Sequence, residues 1–198
     1  MKNRCGASGW SPTSTTTPMK KTILTFGLIC GAIMSIMMIA TVPFHDRIGF
    51  DTRLVIGYTT MVLAFLLVYF GIRSYRDNVG RGSISFGRAV AVGLLITAIA
   101  SVCYTATWEV VYFNYLPDFA TKYVQSEVDR ARANGKTDAE VAKIQAKLNA
   151  NFANYDNPLV NSAYTFLEPL PVGLIVTLVS AGILRRKRRE QDPMLATA

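Results

Sequence analysis

The sequence predicts an all-α membrane protein, with four transmembrane helices and a helical extracytoplasmic insertion between helices 3 and 4. Three observations carry this reading. Long apolar runs occupy residues 22–42, 54–72, 89–113 and 163–184; Lys and Arg are gathered in blocks between them; and one polar stretch, 117–161, is long enough to hold structure of its own. About 30 Å of hydrocarbon crossed at about 1.5 Å per residue takes roughly 20 mostly apolar residues. A chain of 198 residues, 51% hydrophobic and with mean hydropathy +0.26, accommodates one such bundle and a modest attachment.

The elements follow in order. Residues 1–18, rich in Ser, Thr, Gly and Pro, read as a disordered N-terminal extension ahead of a second possible start at Met19. Met19-Lys20-Lys21 and the apolar run behind it imitate a secretory signal peptide. The run is too long for one, and no small-x-small cleavage site precedes His45, so it reads as an uncleaved signal anchor. Span two is free of charge. Behind it, Arg73, Tyr75, Arg76 and Asp77 open a loop that turns tightly at Gly80 and Gly82, with Ser83 or Ser85 placed to cap span three. Gly27 with Gly31, and Ala89 with Gly93, form small-xxx-small pairs that permit close helix approach, inside the bundle or between copies.

In the insertion, Phe119, Tyr123 and Val128 recur at near-helical spacing, and Asn134-Gly135 supplies a stop. Thr137 and Glu140 form a capping-box pattern, and Val141, Ile144, Leu148 and Phe152 then line one face of a second helix. Neither apolar stripe supports a lone helix, so the pair packs on itself or rests on the outer bilayer surface. An Asn-rich coil over 149–161, interrupted at Pro158, leads to span four; residues 190–198 form a cytoplasmic tail.

Charge sets the expected orientation, because cytoplasmic loops are enriched in Lys and Arg. Lys2, Arg4, Lys20 and Lys21 precede span one; Arg73, Arg76, Arg81 and Arg88 separate spans two and three; Arg185, Arg186, Lys187, Arg188 and Arg189 follow span four. Opposite them stand Arg47, Arg53 and six basic residues in the insertion that are balanced by six acidic ones. Both termini are therefore expected in the cytoplasm. The net charge of +8 is dispersed among these blocks rather than collected on one binding face, which argues against nucleic acid and for membrane lipids as partners.

Chemistry is sparse. His45 is the sole histidine, Cys5 lies in the N-terminal tail, and Cys30 and Cys103 fall within spans, so neither a metal cluster nor a disulfide framework is implied. No Ser-His-Asp set and no phosphate-binding loop occurs, and no cofactor is expected. The candidate intramembrane polar site is Glu109 with Glu168, near the outer ends of spans three and four. An acidic group at the membrane centre costs about 2.5–3.5 kcal/mol on insertion scales, so two at one depth suit a proton or cation site. The alternative places both in the interface: Pro169 and Pro171 favour a helix start just after Glu168, and Trp108, Tyr112 and Tyr115 have the composition of an aromatic belt beside Glu109.

Gly71-Ile72-Arg73 with Tyr75-Arg76-Asp77, Ser85-Phe86-Gly87-Arg88-Ala89, and Glu168-Pro169 with Pro171-Val172-Gly173-Leu174 ahead of Ser180-Ala181 occur in that order. In these patterns the chain resembles the bacterial membrane family designated domain of unknown function 4199, over about residues 19–189. The resemblance implies four spans with a longer segment before the last, and it supplies no activity. The expected protein is a non-enzymatic interaction or structural protein of the bacterial inner membrane, with a protein partner at the insertion. The alternative is a small oligomeric proton- or cation-coupled transporter using Glu109 and Glu168, and an enzyme acting on lipid lacks a nucleophile and base.

Overall fold

The computed structural model describes residues 16–44 and 49–185. Helix α1 (Thr16–Thr41) ends in a 3-10 turn at Val42–Phe44 and is followed by α2 (Phe50–Asn78) and α3 (Phe86–Tyr115). A hairpin of α4 (Phe119–Ala133) and α5 (Asp138–Phe152) comes next, then α6 (Pro158–Leu167) and α7 (Leu170–Leu184). Four stretches are long and apolar enough to cross a membrane: Met19–Phe44, Asp51–Asn78, Phe86–Tyr115 and Pro158–Leu184. The extension expected over 1–18 gives up its last three residues to α1, while residues 1–15, His45 and the basic run beyond Arg185 lie outside the described residues.

Around the bundle the helices follow the order α1, α3, α7, α2, each packed on the next and α2 closing on α1. Small residues set this packing. A Cβ at Gly27 would meet Ile99 at 2.8 Å, and one at Gly31 would meet Cys103 at 2.6 Å, so α1 lies along α3 in parallel. Thus the Gly27/Gly31 pair serves the interior of the bundle. Gly93 receives Thr177 and Gly173 receives Thr97, which makes α3 and α7 antiparallel. Lipid tails are as apolar as leucine, so close backbone approach, rather than exclusion of water, holds such helices together. Many large side chains accordingly point outward, with Ile36, Leu63, Val102, Ile175 and Ile183 all exposed.

Two boundaries differ from expectation. The segment opening with Arg73 is the end of α2, not a loop. At 29 residues α2 is about 43 Å long by helical rise, well beyond a hydrocarbon core of about 30 Å, and its polar turns continue past it. Arg76 pairs with Asp77 at 2.7 Å, Arg73 reaches the same carboxylate at 3.7 Å, and Tyr75 is buried. The chain turns only at Arg81 and Gly82, both at positive φ, before Ser85 accepts from the Arg88 amide at 3.4 Å and caps α3.

The fourth span is the second difference. It begins at Pro158, with Asn157 as its cap and proline at the first helical position, so helix replaces the end of the expected coil. It then kinks at Glu168-Pro169 between α6 and α7. Pro169 has no N–H to donate and its ring crowds the preceding turn. Both residues nevertheless stay in the right-handed helical region, Glu168 at φ −58° and ψ −50° and Pro169 at φ −77° and ψ −16°, so the span bends without stopping.

The hairpin matches its sequence pattern closely. Val124, Val128 and Ala131 of α4 and Val141 of α5 are buried together, with Ile144, Leu148 and Phe152 against them. Asn134 caps α4, Gly135 turns at φ +75°, and the Thr137/Glu140 capping box starts α5.

Candidate functional site

The bundle is least tightly filled at the end where α1 and α3 finish and α2 begins. A cavity of about 650 Å³ lies there, walled by α1, α2, α3 and α6 and roofed by the hairpin. Met34, Met37 and Met61 line its apolar side; Tyr58, Tyr104, Trp108, Tyr155 and Tyr164 supply rings; Glu168 and Arg53 bring opposite charges. Ligand cavities span about 300–1,000 Å³ and combine an apolar lining with a few placed polar groups, and this one has both properties.

The roof is held chiefly by aromatic contacts. Phe119, the first residue of α4, meets Trp108 edge-on with ring centroids 4.9 Å apart, and Tyr112 lies 5.4 Å from Tyr155. On α5, Phe152 is 5.3 Å from Tyr123 and 4.9 Å from Tyr155. Tyr112 donates its hydroxyl to Asp156 at 2.7 Å, tying the end of α3 to the segment ahead of α6. Arg130 of α4 pairs with Asp51 at the start of α2 and with Glu127 at 3.0 Å. Exposed ion pairs contribute about 0–1 kcal/mol, whereas each aromatic pair adds about 0.5–1.5 kcal/mol beyond its burial, so the rings dominate. Burial pushes the Tyr123 and Tyr155 phenols up from their ordinary value, which keeps both rings neutral.

The two candidate carboxylates lie apart in this arrangement. Glu168, at the kink, accepts from the Tyr104 hydroxyl at 3.3 Å and opens on the cavity. Glu109 accepts from the Ser162 hydroxyl at 2.9 Å and lines a separate groove with Val102, Leu159 and Phe166. Five residues on α3 separate Tyr104 from Glu109, about 140° around the helix, so the two glutamates are held on different sides of α3 and α6.

Trp108 and Tyr112 do not form the aromatic belt that their composition suggested. Tyr112 is 1% exposed and Trp108 lines the cavity; Tyr115 alone of the three is strongly exposed, at 66%. Tyr58 and Tyr155 are cavity residues that no pattern in the chain singles out. An aromatic excess near one end of three spans was visible in the chain, but the same excess marks a lipid interface. Among the described residues no group of His, Cys, Asp and Glu is placed to hold a metal ion.

Four membrane-compatible helices in one bundle, with a helical hairpin over a cavity at one end, define a multi-pass helical membrane protein. The chain belongs to the family described as "Protein of unknown function (DUF4199)", which matches residues 25–186. No curated protein and no solved structure matches it.

Proposed function

We propose that this chain is a non-enzymatic protein of a bacterial inner membrane that binds a lipid-like molecule beneath the α4–α5 hairpin. The hairpin lies on the extracytoplasmic side, where its outer surface takes a protein partner, and both termini are cytoplasmic. The observation that carries this reading is the cavity of about 650 Å³, apolar and aromatic in lining and roofed by a structured hairpin. The orientation rests on the basic blocks at the other end of the bundle: Lys20 and Lys21 on α1, Arg73 and Arg76 on α2, Arg88 on α3 and Arg185 after α7.

Purified protein is compared with a form in which residues 121–151 are replaced by a short linker. Loss of co-purifying lipid and of partner capture in the trimmed form, with the helical bundle intact, supports the reading. Equal lipid and equal capture in both forms reject it. Reporter fusions at Lys136 and at the C-terminus test the orientation, and a cytoplasmic signal from the hairpin would reverse it.

A second reading, a small oligomeric proton- or cation-coupled transporter, draws support from a row of hydroxyls along α3. Thr97, Ser101 and Thr105 follow at intervals of four residues, are buried, and make no side-chain hydrogen bond among the described residues. Such groups inside a membrane line polar pathways. Flux in reconstituted liposomes that disappears in the E109Q/E168Q form would establish this reading over the first, and absence of flux in both forms removes it.

A further inference from the structure

The polar groups of the cavity are unequal in their surroundings, and this inequality bears on the kind of head group it accepts. Resting on the binding reading above, we propose that Glu168 and the tyrosines around it form a site for the ammonium head of an amphiphile, whose apolar tail lies along the methionine wall.

Three observations lead there. First, Glu168 sits at a kink at Pro169, where the chain leaves a regular helix and the carboxylate opens on the cavity, and no described cation is among the groups that act on it. Its hydrogen bond comes from a neutral phenol, Tyr104, so the negative charge there is not cancelled by that contact. Secondly, Tyr58, Tyr104 and Tyr155 lie within electrostatic reach of the same carboxylate and line the same cavity. A carboxylate among aromatic rings is a setting that recognises organic ammonium ions, since the carboxylate supplies the opposite charge and ring faces attract a cation. Thirdly, Met34, Met37 and Met61 form the apolar wall. Unbranched thioether side chains adapt to a flexible chain, and they offer a polar tail no donor and only a weak acceptor.

An anionic head group would face Glu168 at short range. Arg53 lines the same cavity but stands five residues before Tyr58, roughly 7.5 Å further along α2. The part of the cavity at Glu168 therefore selects for positive charge.

The test uses full-length protein in a neutral maltoside detergent and calorimetric titration with decylammonium, with decanol as the uncharged control and a short-chain ethanolamine phospholipid as a second source of the ammonium group. Decylammonium should bind at least tenfold more tightly than decanol, and E168Q should remove that preference. Y58F should retain cation binding and Y58A should weaken it severalfold; Tyr58 is 45% exposed, so neither change threatens the fold. Binding of the phospholipid with the same dependence on Glu168 identifies the membrane as the source, and binding of decylammonium alone identifies a free amine; both support the site. Equal affinity for decylammonium and decanol, or no effect of E168Q, overturns the ammonium site and leaves an apolar cavity. Failure of every probe to bind overturns the cavity reading as well.

Discussion

Thr97 of α3 rests on the backbone of Gly173 in α7: a Cβ added to the glycine would meet the threonine methyl carbon at 2.3 Å. Across the same contact, a Cβ on Gly93 would meet the Thr177 methyl carbon at 2.5 Å. Each helix thus offers one glycine and one threonine four residues apart, and the antiparallel pair interlocks. Replacing Gly173 by Ala should destabilise the bundle by about 1–3 kcal/mol, the usual cost of overpacking. The T97A/G173A double variant should recover most of that loss, because the second change removes the obstructing methyl. Thermal unfolding of the two singles and the double in detergent checks this, and strictly additive losses would sink the interlock.

Gly31 makes a parallel case against Cys103. Gly31→Ala should lower the unfolding midpoint while the mass of the purified protein by light scattering stays the same, since the glycine faces α3 of its own chain. A change of mass at unaltered stability would assign Gly31 to contact between copies.

The hydrogen bond from Tyr112 to Asp156 fixes the approach to α6. Tyr112→Phe should cost about 1 kcal/mol, since Asp156 is exposed and water replaces the lost donor there. Hydrogen exchange should quicken in the first turn of α6 more than in α7. Uniform change along both helices would place the role of this bond elsewhere.

The start of α5 should respond to acid. The Thr137 backbone amide at 2.9 Å and its hydroxyl at 2.8 Å both donate to the Glu140 carboxylate and hold it below the usual carboxylate range. A depressed folded-state value means that the group's contribution is fully present above the unfolded-state value, about 4.3. It is lost as pH falls through the folded-state value. Protection of the amides in the first turn of α5, taken relative to their intrinsic exchange at each pH, should therefore fall on acidification below about pH 4.3, and E140Q should flatten that response. An identical acid response in E140Q would show that another group controls it. Thr137→Ala should cost about 1 kcal/mol of helix stability at neutral pH.

Much of the architecture was legible because its determinants are local. Length and hydropathy locate a span wherever it folds, and Thr137 with Glu140 or Asn134 with Gly135 mark helix ends through their own backbone. The misread boundaries are also instructive. Arg73 and Arg76 look like loop residues by charge, yet they are good helix formers outside the lipid and α2 runs through them. Pro169 announces a disruption, but only the neighbouring helices decide that the chain bends there instead of stopping.

The candidate site was legible in part. Glu168 stood out because a charge in an apolar run is costly, but its depth was misjudged: it lies five residues inside the apolar run expected from 163 and ten inside the span that begins at Pro158. That it faces Tyr104 and a cavity, while Glu109 faces Ser162 and a separate groove, depends on helix rotation.

By itself, then, the sequence determined how many helices are compatible with a membrane, where the hairpin falls and how it is capped, since hydropathy, spacing and capping act within a few turns of chain. Tertiary structure alone decided that Gly31 is spent inside the bundle, that Trp108 and Tyr112 turn inward, and that Met34, Tyr58, Tyr155 and Glu168, drawn from α1, α2, the linker before α6 and the kink after it, line one space. Those outcomes depend on which face of each helix meets its neighbour, and that is fixed by the mutual fit of glycines and side chains far apart in the chain.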